Sequence, residues 1–219
     1  MRKLVYLGVT AAAALLTTLA ATPAMADTGA VLTVGAVGGT NAAVGDTIDA
    51  ALQSGGAATF HSAAGGTTGV SCATSAFSTA VTDNPTAPGA ATETLGTQTF
   101  ADCTANVPGV TGVSSVVVDN LPYTTTVDSA GVVTVSGSDT VLIQTTIKLR
   151  TLLGTVTCVY RANGNVVTGV ASNADNSISF TDQQFNKFSG PGTCFANGFF
   201  TAKYAPITDT TQAASVFVN

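Results

Sequence analysis

The sequence predicts an all-β chain, an antiparallel β-sandwich or barrel stapled by two disulfides, and three observations lead there. Short runs of Val, Ile, Thr and Phe recur about every ten residues with Gly, Asn, Asp or Pro between them, the pattern of strands joined by turns. Charged residues are 9% of the chain, against about 25% in an average protein. Glu93 is the only glutamate, so the Glu, Lys and Arg that usually build helical surfaces are scarce. Finally, Cys72, Cys103, Cys158 and Cys194 form an even set, which in an exported chain reads as two bridges.

Export is read from the first 26 residues. Arg2 and Lys3 form a basic start, Leu4 to Thr22 is apolar or small, Pro23 breaks the run, and Ala24-Met25-Ala26 is a cleavage box before Asp27. The run approaches the ~20 residues of a membrane span, but its Thr and Ala content and the adjoining box favour a cleaved signal peptide. There is no twin-arginine pair, lipobox or later spanning run, so a secreted, extracellular product is expected. The remainder, 27–219, suits one domain with its own core: a lead-in over 27–65, a cysteine-bearing body over 66–206 and a tail over 207–219.

Along the body the expected strands follow in order. Val31–Val34 and Ile48–Leu52 flank the Gly38-Gly39 and Gly45-Asp46 turns; Ala57–His61, Gly69–Cys72 and Phe77–Val81 come next. After the Asp83-Asn84-Pro85 and Pro88-Gly89 loop come Thr92–Phe100, then Val113–Val118, the most β-branched run. Tyr123–Val127, Val132–Val135 and Thr140–Lys148 continue the series. Gly154–Arg161 alternates clearly, and Asn163-Gly164 predicts a hairpin with Val166–Val170 as its return strand. Ser177–Phe180 and Cys194–Tyr204 close the body, and Ala214–Val218 is either a last strand or a loose end. One helical alternative exists at Ile143–Leu153, where Ile147, Leu149, Leu152 and Leu153 fit helical spacing. Thr145, Thr146, Thr151 and Gly154 oppose it.

Three cysteine pairings are open. Cys72–Cys103 with Cys158–Cys194 is preferred because each bridge then encloses one block of strands. Wide spacings and a single His61 argue against zinc. Without the leader, five basic residues (Lys148, Arg150, Arg161, Lys187 and Lys203) face twelve acids, a net charge of −7. That field repels phosphate backbones, so nucleic acid is not expected as a partner. Lys148 and Arg150, two apart, would share one face of a strand.

The body from about Val70 to Pro206 resembles a group of small secreted actinobacterial proteins of unknown function. The likeness is carried by Gly69-Val70-Ser71-Cys72, Gln98–Cys103, Asn120-Leu121-Pro122-Tyr123, Gln144–Leu149, Gly154–Tyr160 and Asp175–Phe180. More distantly, the order Cys, F-x-x-C, N-L-P, G-x-V-x-C is similar to secreted activators of alkane oxidation. Both resemblances imply a secreted all-β protein, and neither brings a catalytic site to carry over.

No catalytic, cofactor or metal constellation emerges from the residues. His61 ends a predicted strand with no nucleophile motif beside it. Asp83, Asp119, Asp128, Asp139 and Asp175 fall at turns, where backbone hydrogen bonding explains them. Asn173–Asn176 offers oxygen ligands for calcium but lacks the glycine and terminal glutamate of a calcium loop. Phe180, Phe185, Phe188, Phe195, Phe199, Phe200 and Tyr204 cluster around Cys194, as core or as the lining of an apolar pocket. Two non-enzymatic functions are therefore expected. The first is adhesion, cell-surface or matrix association, or self-assembly through a Thr/Ser-rich β surface. The second is carriage of a small apolar ligand between sheets.

Overall fold

Alternating side chains put one face of each strand inward, and a closed ring of strands is what buries that face here. The computed structural model describes residues 29–219; the export segment expected at 1–26 lies outside them. In chain order the strands are β1 (Leu32–Val34), β2 (Thr40–Asn41), β3 (Thr47–Ala51), β4 (Ala58–His61), β5 (Gly69–Asp83), β6 (Ala90–Ala105), β7 (Val110–Asp119) and β8 (Tyr123–Asp128). They continue as β9 (Val132–Ser136), β10 (Gln144–Thr151), β11 (Gly154–Ala162), β12 (Val166–Ser172), β13 (Ser177–Ser189), β14 (Asn197–Tyr204), β15 (Thr208–Asp209) and β16 (Ala214–Val218). Every pairing is antiparallel. Strands β4-β5-β6-β8-β9-β12-β13-β14 close into an eight-stranded barrel, because β14 pairs with both β13 and β4. Of the sandwich and the barrel, the chain adopts the barrel.

Three strands are longer than their sequence segments suggested, and their length shapes the molecule. Gly69–Cys72 and Phe77–Val81 belong to one strand, β5, which pairs with β6 from Val70↔Ala105 to Asp83↔Thr92 through two register shifts. The far edge of β5 is shared between β4, on 69–72, and β3, on 76–80. β13 divides its edge likewise: Ser177–Phe180 pair with β12, and Phe185–Ser189 with β11. Two satellites grow from these shared edges. On one side β3, β15, β16, β1 and β2 extend from β5; on the other, β11, β10 and β7 extend from β13 as an outer sheet.

The hairpin expected at Asn163-Gly164 is corrected. β11 and β12 do not pair with each other; both lie along one edge of β13, with a 3-10 turn at Asn163–Asn165 between them. Asn165 holds this corner. Its Oδ1 accepts from Ile143 N at 2.7 Å, and its Nδ2 donates to Ser138 O at 3.1 Å. Long-range side-chain bonds thus override a local turn signal. The helical alternative at 143–153 is likewise excluded: Thr145, Ile147 and Leu149 are buried at every second position of β10, the period of a strand. Residues 140–143 precede β10, β14 starts at Asn197 rather than Cys194, and the tail forms β15 and β16.

Both bridges join the preferred cysteines. Cys72 and Cys103 face each other across the β5–β6 ladder, and Cys158 of β11 is tied to Cys194 in the segment before β14. The lumen is packed with aromatic rings, Phe60 standing 5.0 Å from Phe200, 5.7 Å from Phe100 and 6.0 Å from Phe185, centroid to centroid. The wall outside carries hydroxyls: Thr92, Thr126, Thr134 and Thr168 lie in register across β6, β8, β9 and β12. Among the described residues no helix is long and apolar enough to cross a membrane.

Candidate functional site

Two places stand out as candidate sites, the tip of the outer sheet and the waist of the lumen; a third departure, buried Asp209 beside Asp46, is held by the amides of Thr211 and Gln212.

The tip is the two-residue connection of the β10–β11 hairpin. Thr151 pairs with Gly154, the Thr151 hydroxyl donates to Gly154 O at 2.8 Å and accepts from Leu153 N at 3.2 Å, and Gly154 takes φ +119°. These contacts shape the turn without help from the side chains of the two residues between. Such loops favour Asn, Asp and Gly, yet here they are Leu152 and Leu153, 89% and 101% exposed. The outward face of the same sheet carries Lys148 and Arg150 on β10 and half-exposed Val117 on β7. The Arg150 guanidinium lies over Gly112, where a Cβ would come within 2.8 Å of it. Arg161 stacks on exposed Phe188 at 3.3 Å and donates to Gln144, whose amide reaches Asp119. Among the described residues the one ion pair is Lys203–Asp175, so Lys148 and Arg150 present uncompensated charge. Beyond them, β7 hydrogen-bonds in a ladder only to β10 and runs close beside β6, and it carries no charged side chain before Asp119.

Inside the barrel, β6 alternates Ala91, Glu93 and Leu95 inward with Thr92 and Thr94 outward. The only glutamate of the chain therefore points into the lumen, 6% exposed. Its cross-strand partner is Thr125 of β8, whose hydroxyl is buried without a hydrogen-bond partner. No well-formed hydrogen bond reaches the Glu93 carboxyl among the described residues. Burial pushes its pKa up to about 7, with a smaller opposing pull from the Thr79 hydroxyl. Above this layer Gln98 donates to Ser75 Oγ at 2.8 Å and Tyr204 Oη at 3.0 Å, and those two hydroxyls bond each other at 2.9 Å.

Glu93 stands where small cavities meet. One of about 50 Å³ is lined by Thr79, Thr125, Leu95 and Phe180. It adjoins one of about 70 Å³ among the phenylalanines and one of about 30 Å³ leading past Ile178 toward the Asn173–Asn176 turn. These are far below the ~300–1,000 Å³ of a pocket for a drug-sized ligand.

The remaining candidates have local duties. His61 ends β4 opposite Phe199 and Gly69. Asp128 accepts from the amides of Ala130 and Val132, and Asp119 from Gln144 and Thr146. The Asn173–Asn176 turn spends its side chains on the C-terminal strand: Asn173 and Asn176 donate to the carbonyls of Val218 and Val216, while Asp175 pairs with Lys203. Burial of Phe180, Phe185, Phe200 and Tyr204 places them in the core, whereas Phe188 is outside. Among the described residues no three His, Cys, Asp or Glu side chains gather as metal ligands.

Neither Glu93 nor the leucine pair stood out as a site in the sequence, although both left a signal. The period-two run Ala91-Thr92-Glu93-Thr94-Leu95 puts the acid in phase with apolar residues. Leu152-Leu153 sits where turn residues belong.

The fold and these two places define a class, a closed eight-stranded antiparallel barrel with an outer sheet and two disulfides. Compared with known proteins, the chain matches no family model, no curated protein and no solved structure.

Proposed function

We propose that the protein acts outside the cell as a non-enzymatic surface-association protein, released after cleavage of residues 1–26. Its outer sheet docks on a cell-surface or matrix component, including further copies of itself. The observation that carries this reading is the fully exposed Leu152-Leu153 pair on a hairpin tip whose turn does not need it. Leaving two leucines in water forgoes about 1.5–3 kcal/mol each, which association would recover. The cations Lys148 and Arg150 stand beside the tip on a chain whose net charge is otherwise strongly negative, so the docking end is electrostatically distinct from the rest.

The test compares the secreted chain with a Leu152→Ser/Leu153→Ser double variant. Both should unfold at the same denaturant concentration, since the tip contributes nothing to the core. Sedimentation with cell envelopes, and light scattering over a hundredfold concentration range, should show association by the parent and its loss by at least tenfold in the variant. Equal behaviour of the two proteins would remove the tip from the reading. Intact mass of the released product should correspond to a chain starting at Asp27 and lacking four thiol hydrogens.

A further inference from the structure

The lumen contains an imbalance that packing does not resolve. The Thr125 hydroxyl is buried without a hydrogen-bond partner, and the Glu93 carboxyl across the strand from it has only the weak pull of the Thr79 hydroxyl to offset its burial. The Gln98 amide, which lines the same cavity, is spent on Ser75, Tyr204 and Thr99 O. None of the side chains lining the three cavities is Lys, Arg or His, and Glu93 is their one carboxyl; Tyr123 and Tyr204 are the other titratable groups there. Tyr204 is occupied with Ser75 and Gln98, and Tyr123 with Leu142 O and Gln144 N. What is missing is a compact donor of several N–H groups with an apolar remainder.

We propose that the barrel binds a small primary ammonium ligand, its head on Glu93 and Thr125 and its short alkyl tail toward Leu95, Val135 and Phe180. The sizes agree. One water needs about 10–15 Å³ of such space, so the waist cavity admits an ammonium group and the adjoining 70 Å³ a tail of a few carbons. The chemistry agrees as well, because an ammonium group has three donors and no acceptor, the complement of this set. A carboxylate of the same length would add acceptors and a like charge. An alcohol would supply a single donor and leave the carboxyl uncompensated. Access lies past Ile178 and the Asn173–Asn176 turn, where the third cavity begins.

Because Glu93 is the only glutamate, carboxyl-labelled glutamate gives one NMR resonance that reports this site in the intact secreted chain. The probes are n-butylamine, n-butanol and butyrate at pH 8 and matched ionic strength. With butylamine, saturable movement of the Glu93 resonance is expected, its titration midpoint falling by at least one pH unit, together with a concentration-dependent rise in Tm. Butanol and butyrate should do neither. In Glu93→Gln the butylamine effect on Tm should disappear. Should that variant fail to fold, the resonance of the parent decides alone. Equal responses to amine and alcohol, or a Glu93 titration that butylamine leaves in place, would overturn the proposal.

Discussion

Replacing Glu93 by Gln isolates the cost of keeping an acid in the lumen. In the folded chain its pKa is raised from the ordinary 4.5 to about 7. Below pH 4.5 the group is protonated whether folded or unfolded, and it adds no pH dependence. Between 4.5 and about 7 the unfolded chain releases the proton while the folded chain keeps it, so stability falls as pH rises. Each pH unit of a one-proton difference is worth about 1.4 kcal/mol, which makes the loss about 3 kcal/mol across the window. Above pH 7 both states are ionised and the loss is complete. Glutamine has the same shape without a charge, and its unpartnered amide costs about 1–3 kcal/mol at any pH. The variant should therefore be no more stable than the parent at pH 4.5 and should gain on it by about 3 kcal/mol by pH 8. Urea unfolding of both proteins at half-unit pH intervals, with disulfides intact, measures this. Subtracting the curves removes the other titrating groups. Curves that stay parallel from pH 4.5 to 8 would refute the burial argument.

Three further outcomes are expected. Cys72→Ser/Cys103→Ser opens a loop of 31 residues and should cost about 3–4 kcal/mol in the chain-entropy picture, read as a lower urea midpoint. Tyr204→Phe removes the hydroxyl shared by Ser75 and Gln98 and should cost about 1–3 kcal/mol; the double variant Tyr204→Phe/Ser75→Ala should cost less than the sum of the single ones. Leu152→Ser/Leu153→Ser should leave the urea midpoint within about 0.5 kcal/mol of the parent, the ordinary range for surface changes, while surface association is lost.

Strands were legible wherever period-two alternation stood between turn residues. Gly154–Arg161 and Tyr123–Val127 were found within a residue or two, because their inward faces are set by local pattern alone. Partnership was not legible. Whether Asn163-Gly164 closes a hairpin depends on β13, which offers one long edge to both neighbours, and on Asn165 bonding back to residues 138 and 143. Likewise, the merging of Gly69–Cys72 with Phe77–Val81 follows from continuous pairing to β6, and no property of Ala73–Ala76 announces it. The bridges were readable because each encloses one block of strands. The role of Glu93 escaped notice because a single acid in a Thr-rich strand looks like surface until the strand's inward phase is known. Leu152 and Leu153 were read for their helical spacing, when their position in a two-residue turn was the informative fact.

The polar groups of the lumen are not scattered. Ser75 and Thr79 come from β5, Glu93 and Gln98 from β6 and Thr125 from β8, three adjacent staves. Phe60, Phe180, Phe185 and Phe200 come from β4, β13 and β14 on the opposite side. Phe77 and Phe100 add rings from β5 and β6, and the Tyr204 hydroxyl of β14 joins the polar groups, so rings and hydrogen-bonding groups meet at the waist. A barrel of eight strands is just wide enough for side chains to fill it or to hold one small ligand. Val or Leu at position 93 would fill the waist without the unpaired carboxyl. Retaining an acid there costs about 3 kcal/mol at neutral pH, a large share of the roughly 5–15 kcal/mol that separates folded from unfolded domains. That cost and the open space beside Glu93 are what the proposed ammonium site would account for. The outer sheet bears on the same space from the side, since Val118 and Thr145 line the 70 Å³ cavity. Strand β10 consequently turns Thr145 toward the 70 Å³ cavity and Lys148 and Arg150 toward solvent, so the proposed interior site and the proposed docking face would share one strand.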